Sequence, residues 1–290
     1  MSKVLQELLS LLKLEAIGVN RFRGRSQDLG FRNLFGGQVL GQSLSAAIQT
    51  LNATTWVPHS LHAYFLRPGI VDDSVEFEVD IIRDGRSFCT RLVTASQNGK
   101  AILTMMCSFQ QPEEGFEHMA PMPDVKGPEG LFSELELIRK FKDFFPERVR
   151  DKYTADKPIE QRVVNPVNVF APAKRDPVKY VWMKTDSDIG DNPNAHYTVL
   201  AYASDFNFIP TSLHPHGVSI IQKDMQVASL DHSIWFHRPV RMDEWLLYSI
   251  DSPNASAGRG FCRGQFFNQK GELVASVAQE GLIRKRTKET

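Results

Sequence analysis

The residue whose surroundings most need a chemical explanation is Asp205. It stands in Tyr202-Ala203-Ser204-Asp205-Phe206-Asn207-Phe208-Ile209-Pro210, at the end of an apolar run with helical spacing. A carboxylate among aromatic side chains is unfavourable for both helix propensity and burial, because a dry carboxylate needs partners. Two readings fit. The side chain caps the turn that follows, or it is a functional carboxylate whose pKa its site perturbs. Other candidates carry less. Gly41-Gln42-Ser43-Leu44-Ser45 lacks the final glycine of a Gly-x-Ser-x-Gly nucleophile elbow and falls inside a predicted helix. Gly258, Gly260 and Gly264 have the wrong last spacing for a dinucleotide fingerprint and lie in a strand region. His214-Pro215-His216, and His59 with His62, have no third ligand near them, so turn and core histidines are the better reading. Cys89, Cys107 and Cys262 are too scattered for a CxxC element, a zinc site or a disulfide framework, which points to a reducing compartment.

The elements that must position Asp205 come in two copies. Tyr64-Phe65-Leu66-Arg67-Pro68 is matched by Trp235-Phe236-His237-Arg238-Pro239, Phe88-Cys89 by Phe261-Cys262, and Gln97-Asn98-Gly99-Lys100 by Asn268-Gln269-Lys270-Gly271. Order and spacing persist with small slips, the mark of an internal repeat. In the first copy, Val39, Leu40, Leu44, Ala47 and Ile48 predict a helix over 37–51. Its small residues Gly41, Ser43 and Ser45 would let it lie close against a sheet. Strands are predicted over 60–65, 75–83, 87–97 and 100–110, with turns at Asp84-Gly85 and Asn98-Gly99. The second copy repeats this with a helix over 194–208 and strands over 229–236, 244–252, 259–268 and 272–279. One helix against an antiparallel meander, twice, is an α+β chain rather than a βαβ one. The boundaries expected are 1–111, a linker of 112–157 with a short helix, and 158–290. The copies differ in charge: residues 29–71 contain no Asp or Glu, so Asp205 has no counterpart in the first helix and strand.

Composition narrows the function classes. In 290 residues, 34 basic and 34 acidic side chains balance, so no net field attracts nucleic acid or an anionic membrane. Val4, Leu5, Leu8, Leu9 and Leu12 are spaced as an amphipathic helix, and Glu7 interrupts any signal-peptide core. No apolar run reaches the roughly 18 residues of a membrane span. The last residues, Arg286-Thr287-Lys288-Glu289-Thr290, are not a Ser-Lys-Leu address. A cytoplasmic protein is expected.

Several strings resemble the acyl-CoA thioesterase II family, the TesB type. They are Leu34-Phe35-Gly36-Gly37-Gln38-Val39-x-Gly41-Gln42, Phe65-Leu66-Arg67-Pro68-Gly69, Arg83-Asp84-Gly85-Arg86-Ser87-Phe88 and Ser108-Phe109-Gln110. Tyr202-Ala203-Ser204-Asp205-Phe206, Leu230-Asp231-His232-Ser233-Ile234-Trp235-Phe236-His237-Arg238-Pro239 and Ala278-Gln279-Glu280-Gly281 continue the match. The resemblance runs in order from about residue 5 to 285. It implies a double hotdog fold, two antiparallel sheets each wrapped around a central helix, and hydrolysis of fatty acyl-CoA to free fatty acid and CoA without metal or cofactor. It also implies a catalytic trio from the second copy, which falls on Asp205, Ser229 and Gln279. Many relatives carry Thr where this chain has Ser229, which keeps the hydroxyl and loses the methyl that stiffens the rotamer. Asp205 would act as general base on a water held by the other two, with amides near a helix start receiving the oxyanion. The expected partner is acyl-CoA, with no nucleic acid and no membrane, in a homo-oligomer (dimer or tetramer). The alternative is a non-catalytic acyl-CoA-binding or regulatory module, which would be expected to lose one of the three residues. A hydratase on this scaffold would need an acid/base His beside its Asp. His232 lies three residues past Ser229, and strand alternation sends it to the opposite face. Phe65, Trp235 and Phe236 are candidates for an acyl tunnel, with core packing an equal or better reading of each.

Overall fold

The computed structural model describes residues 1–53 and 55–286. Residues 287–290, on which the reading of the C-terminal address rests, lie outside the described residues. The chain opens with α1 (Lys3–Leu12), capped by the Ser2 hydroxyl, which accepts from the Leu5 amide, and burying Leu5, Leu8, Leu11 and Leu12. Two short strands follow, β1 (Glu15–Gly18) and β2 (Arg21–Gly24), then α2 (Gly36–Gln49) and β3 (Val57–Phe65). The meander is β4 (Val75–Asp84), β5 (Phe88–Gln97) and β6 (Lys100–Gln110). Asn98 and Gly99 both take positive φ, +49° and +71°, as a two-residue turn requires. The intervening stretch holds α3 (Glu134–Lys140), with a capping box between Ser133 and Glu136, and α4 (Glu147–Thr154).

The second half supplies β7 (Ile159–Val163), β8 (Val178–Thr185), α5 (Pro193–Ser204), α6 (Phe208–Ser212), β9 (Met225–Ser229) and β10 (Asp231–Phe236). It ends with β11 (Leu246–Ser256), β12 (Arg259–Asn268) and β13 (Leu273–Lys285). All pairings are antiparallel and join into a 13-stranded sheet, ordered β1-β2-β4-β5-β6-β3-β10-β13-β12-β11-β8-β7, with β9 on the end of β13. From the centre outward, β3-β6-β5-β4-β2-β1 mirrors β10-β13-β12-β11-β8-β7. The internal repeat is therefore the symmetry of the sheet, and the two antiparallel halves are fused into one sheet through the β3–β10 pair.

Three expectations need correcting. The second helix does not run to Phe208. It stops at Ser204 because Asp205 is its C-cap and Asn207 turns left-handed at φ +71° before α6 begins. The predicted strand over 229–236 is two strands, broken at Leu230. Gly41 of α2 lies against a helix, not the sheet. A Cβ on Gly37 would stand 2.2 Å from the Tyr202 carbonyl oxygen, and one on Gly41 would stand 2.9 Å from that of Thr198. These pairings run α2 and α5 antiparallel at backbone contact, so the start of α2 meets the end of α5.

Candidate active site

That meeting point is where Asp205 sits. A helix end is a poor place for a carboxylate on its own helix, since the C-terminal carbonyls are already negative. The start of α2 reverses the balance: the Gly37 amide donates to Asp205 Oδ2 at 2.9 Å. Gly36 leaves room for this contact, because a Cβ there would lie 2.7 Å from Asp205 Oδ2 and 2.9 Å from the Phe65 ring. Asp205 keeps partial access to solvent. Burial nevertheless raises its pKa above the usual 3.8, against lowering by His232, by the Gln279 side chain, by the Gly37 amide and by the Ser229 hydroxyl.

The three residues singled out in the sequence converge. Gln279 comes from β13 and is buried, and its Nε2 donates to Ser229 Oγ at 2.7 Å. Both side chains stand close enough to the Asp205 carboxylate to lower its pKa. Asp205 also serves as a cap, but through its position on α5; its carboxylate faces the other copy.

His232 belongs to the same cluster, against the expectation from strand alternation. It is fully buried, with Nδ1 2.7 Å from Gln279 Oε1 and Nε2 2.9 Å from Ser204 Oγ. The break at Leu230 explains the error. Ser229 pairs with Gly281 and Ser233 with Ala278, so four steps along one strand match three on β13. This bulge shifts the parity, and residues three apart reach the same face. Asp231 sits in the bulge with Oδ1 accepting from the Glu280 amide at 2.8 Å. An Asp inside a β-run was the available signal of irregularity. Burial holds His232 below the usual imidazole range, against raising by Asp205 and Gln279.

The tunnel candidates separate. Phe65 borders Asp205 across Gly36. Phe236 is core, edge-on to Tyr197 at 5.3 Å, and Trp235 is 38% exposed beside His62. Around the carboxylate's turn, Phe35 stacks on Phe206 at 4.4 Å and meets Tyr202 edge-on at 5.3 Å. His62 contacts Ser233 Oγ through Nδ1, and Cys89, Cys107 and Cys262 are separate and buried. Among the described residues, no three His, Cys, Asp or Glu side chains are grouped as metal ligands would be. No helix among them is long and apolar enough to cross a membrane.

Comparison with known proteins places the chain among acyl-CoA thioesterases. Residues 24–110 match the acyl-CoA thioesterase N-terminal domain family, and residues 148–282 match the acyl-CoA thioesterase family. The chain is 45% identical over 284 residues to acyl-CoA thioesterase 2 of Haemophilus influenzae, covering 98% of this chain and 99% of that one. It is 37% identical over 283 residues to human acyl-coenzyme A thioesterase 8, covering 95% and 88%. Among solved structures, the acyl-CoA thioesterase II TesB2 of Mycobacterium marinum superposes with a TM-score of 0.78 at 37% identity, over 97% and 99% of the chains. A hot dog fold protein from Alicyclobacillus acidocaldarius gives the same TM-score, 0.78, at 20% identity over 97% and 99%. That last likeness is one of fold.

Proposed function

As the chain belongs to the acyl-CoA thioesterase family and is a hydrolase of acyl-CoA thioesters, we propose that Asp205 activates the attacking water and that Ser229 and Gln279 hold it. The observation that carries this reading is the convergence of an acceptor-only carboxylate with a hydroxyl and an amide, on a spot that retains access to solvent. Asp205 takes a proton from water as the water oxygen bonds to the thioester carbonyl carbon. The tetrahedral oxyanion then collapses, the C–S bond breaks, and CoA leaves as a thiolate that recovers the proton. A pKa raised by burial makes Asp205 a stronger base than a free carboxylate.

The start of α2 supplies the amide for the oxyanion. The Gly37 amide is committed to Asp205, so the donor is the Gly36 amide, which as the first helical residue has no intrahelical partner. Fatty acyl-CoA is the substrate class, Phe65 lies where the chain next to the thioester would pass, and no cofactor is required. The functional units are residues 1–111, the linker 112–157 and residues 158–290. The protein works in the cytoplasm as a homo-oligomer, a dimer or tetramer. These last features rest on the balanced charge and on the resemblance.

The test is thiol release from a panel of acyl-CoA esters by wild type and by Asp205→Asn, Ser229→Ala and Gln279→Ala, with acyl-CoA binding followed separately by calorimetry. Loss of turnover with binding retained is expected for all three. Unimpaired turnover in Asp205→Asn would overturn the reading, and binding without turnover in wild type would favour the non-catalytic alternative.

A further inference from the structure

Hydrogen-bond directions around Asp205 are fixed outward from the carboxylate, which when ionised only accepts. Ser229 Oγ accepts from Gln279 Nε2 at 2.7 Å, which leaves its own proton for an acceptor on the Asp205 side. Gln279 also lowers the pKa of Asp205, as an amide turned toward it by its nitrogen does. With its nitrogen so turned, the Gln279 carbonyl must point away, into a buried region where it needs a donor. The only side chain hydrogen-bonded to Oε1 among the described residues is His232, through Nδ1 at 2.7 Å. The far ring nitrogen, Nε2, is 2.9 Å from Ser204 Oγ, next in sequence to Asp205. Ser204 is itself held, its carbonyl accepting from the Tyr248 hydroxyl at 2.8 Å.

We infer that His232 is a positioning residue of the thioesterase site: its Nδ1–H holds the Gln279 amide in the orientation that turns its nitrogen, and not its carbonyl, toward Ser229 and the attacking water. This rests on the reading of Asp205 as base given above. Without that donor the Gln279 amide can rotate by half a turn and aim its carbonyl at Ser229 and at the carboxylate. A like-signed dipole would then face the base, and the water would lose one donor. With Nδ1 donating, a neutral imidazole takes at Nε2 the single proton of Ser204 Oγ, which lies 2.9 Å from Nε2 and 2.9 Å from the Ala201 carbonyl oxygen, so the hydroxyl turns to the ring rather than to the carbonyl. The bulge at Leu230 is what brings the ring to this face, so strand irregularity and amide orientation are one device.

The experiment compares His232→Leu, His232→Asn and His232→Gln, alone and with Gln279→Ala, by kcat and KM on one medium-chain acyl-CoA, with thermal midpoints measured alongside. His232→Leu removes the donor and should lower kcat by roughly 10- to 100-fold with KM within about threefold, the size of a lost buried hydrogen bond. The amide of Asn reaches about where Nδ1 is and should restore kcat to within roughly fivefold of wild type. The longer Gln presents its amide near the Nε2 position and should not rescue. In the Gln279→Ala background, His232→Leu should add less than about twofold, since it acts through Gln279. Equal impairment by Asn, Gln and Leu would overturn the proposal, as would losses that multiply in the double variant. If His232→Leu fails to fold, the Asn and Gln pair decides alone. Asp205→Asn is run in parallel: full activity there would defeat the underlying base assignment whatever the His232 variants do.

Discussion

The two halves of the sheet place corresponding residues in corresponding places and fill them with opposite chemistry. Both central helices end at a C-cap, Thr50 in the first half and Asp205 in the second. Both Phe-Cys pairs put a buried cysteine opposite a residue of the next strand, Cys89 opposite Phe109 and Cys262 opposite Gln279. Two residues further along stand Arg91 and Gly264. In the first half the Arg91 guanidinium, 2% exposed, fills the space beneath the helix end. It donates from Nε to Thr50 Oγ1 at 2.9 Å and reaches Asp84 at 2.7 Å. In the second half Gly264 leaves that space to Phe208 and Tyr248, whose rings would lie 2.9 and 2.5 Å from a Cβ there. The first half thus closes its polar groups on themselves. The second keeps a carboxylate, a hydroxyl and an amide turned toward one another, and takes from the first half the start of α2 and the Phe65 ring. One copy of the repeat became scaffold and amide donor, and the other became chemistry.

The comparison is broken most severely by giving the second half the first half's cap. Asp205→Thr should reduce kcat by at least the roughly 10²–10⁴-fold of general-base catalysis, while Thr50→Ala should leave kcat within about twofold. Comparable losses in both variants would erase the asymmetry. Next in size is the hydroxyl. Ser229→Ala should cost on the order of 1–3 kcal/mol in kcat/KM, as for a lost buried hydrogen bond, and Ser229→Thr should retain activity because the donor and acceptor remain. A folded but inactive threonine variant would show that the pocket no longer admits the extra methyl.

Arg91 sharpens the contrast from the other side. Arg91→Met should destabilise by about 1.5–3 kcal/mol, the range for hydrogen bonds to a charged group, with kcat per folded molecule unchanged. Urea denaturation reads the first quantity, and a large fall in kcat at full folding would give Arg91 a part in catalysis. The smallest effect expected is none: dialysis against EDTA should leave activity intact, and restoration by zinc after loss would contradict a metal-free reaction.

The sheet's two-fold symmetry was legible because three features recur in register, and the long strands because Val75, Phe77 and Val79 alternate cleanly with Glu76 and Glu78. The edge strands β1 and β2 were not, since four residues, mostly exposed, carry no period. The strand β8 was missed because it is half-buried along its first three residues and lies next to a stronger helical signal. Asp205 stood out by type and surroundings, and Ser229 and Gln279 through resemblance alone. His232 was misplaced because a one-residue bulge inverts strand parity without altering composition. That α2 and α5 touch along Gly37 and Gly41 could not be read from either helix separately, since small residues fit a sheet as well as a helix.

The raised pKa of Asp205 has a stability consequence. Folded Asp205 binds its proton more tightly than it does in the unfolded chain, so its ionisation opposes folding. Stability from the protonated form is full below 3.8, the unfolded value, and is lost as pH rises through the higher folded value. Asn cannot ionise, so Asp205→Asn should melt higher than wild type at neutral pH, by roughly 2–4 °C for each kcal/mol. That advantage should shrink toward pH 4. The most direct test of the account reads rate and stability together: kcat/KM and thermal midpoint for wild type and Asp205→Asn across the pH range in which both fold. The wild-type rate should rise tenfold per pH unit up to a single ionisation above 3.8 and then level. The Asn variant should be slower by roughly 10²–10⁴ and lack this limb, yet melt higher. An Asn variant within about tenfold of wild type and still showing the limb would contradict the role of Asp205 as base.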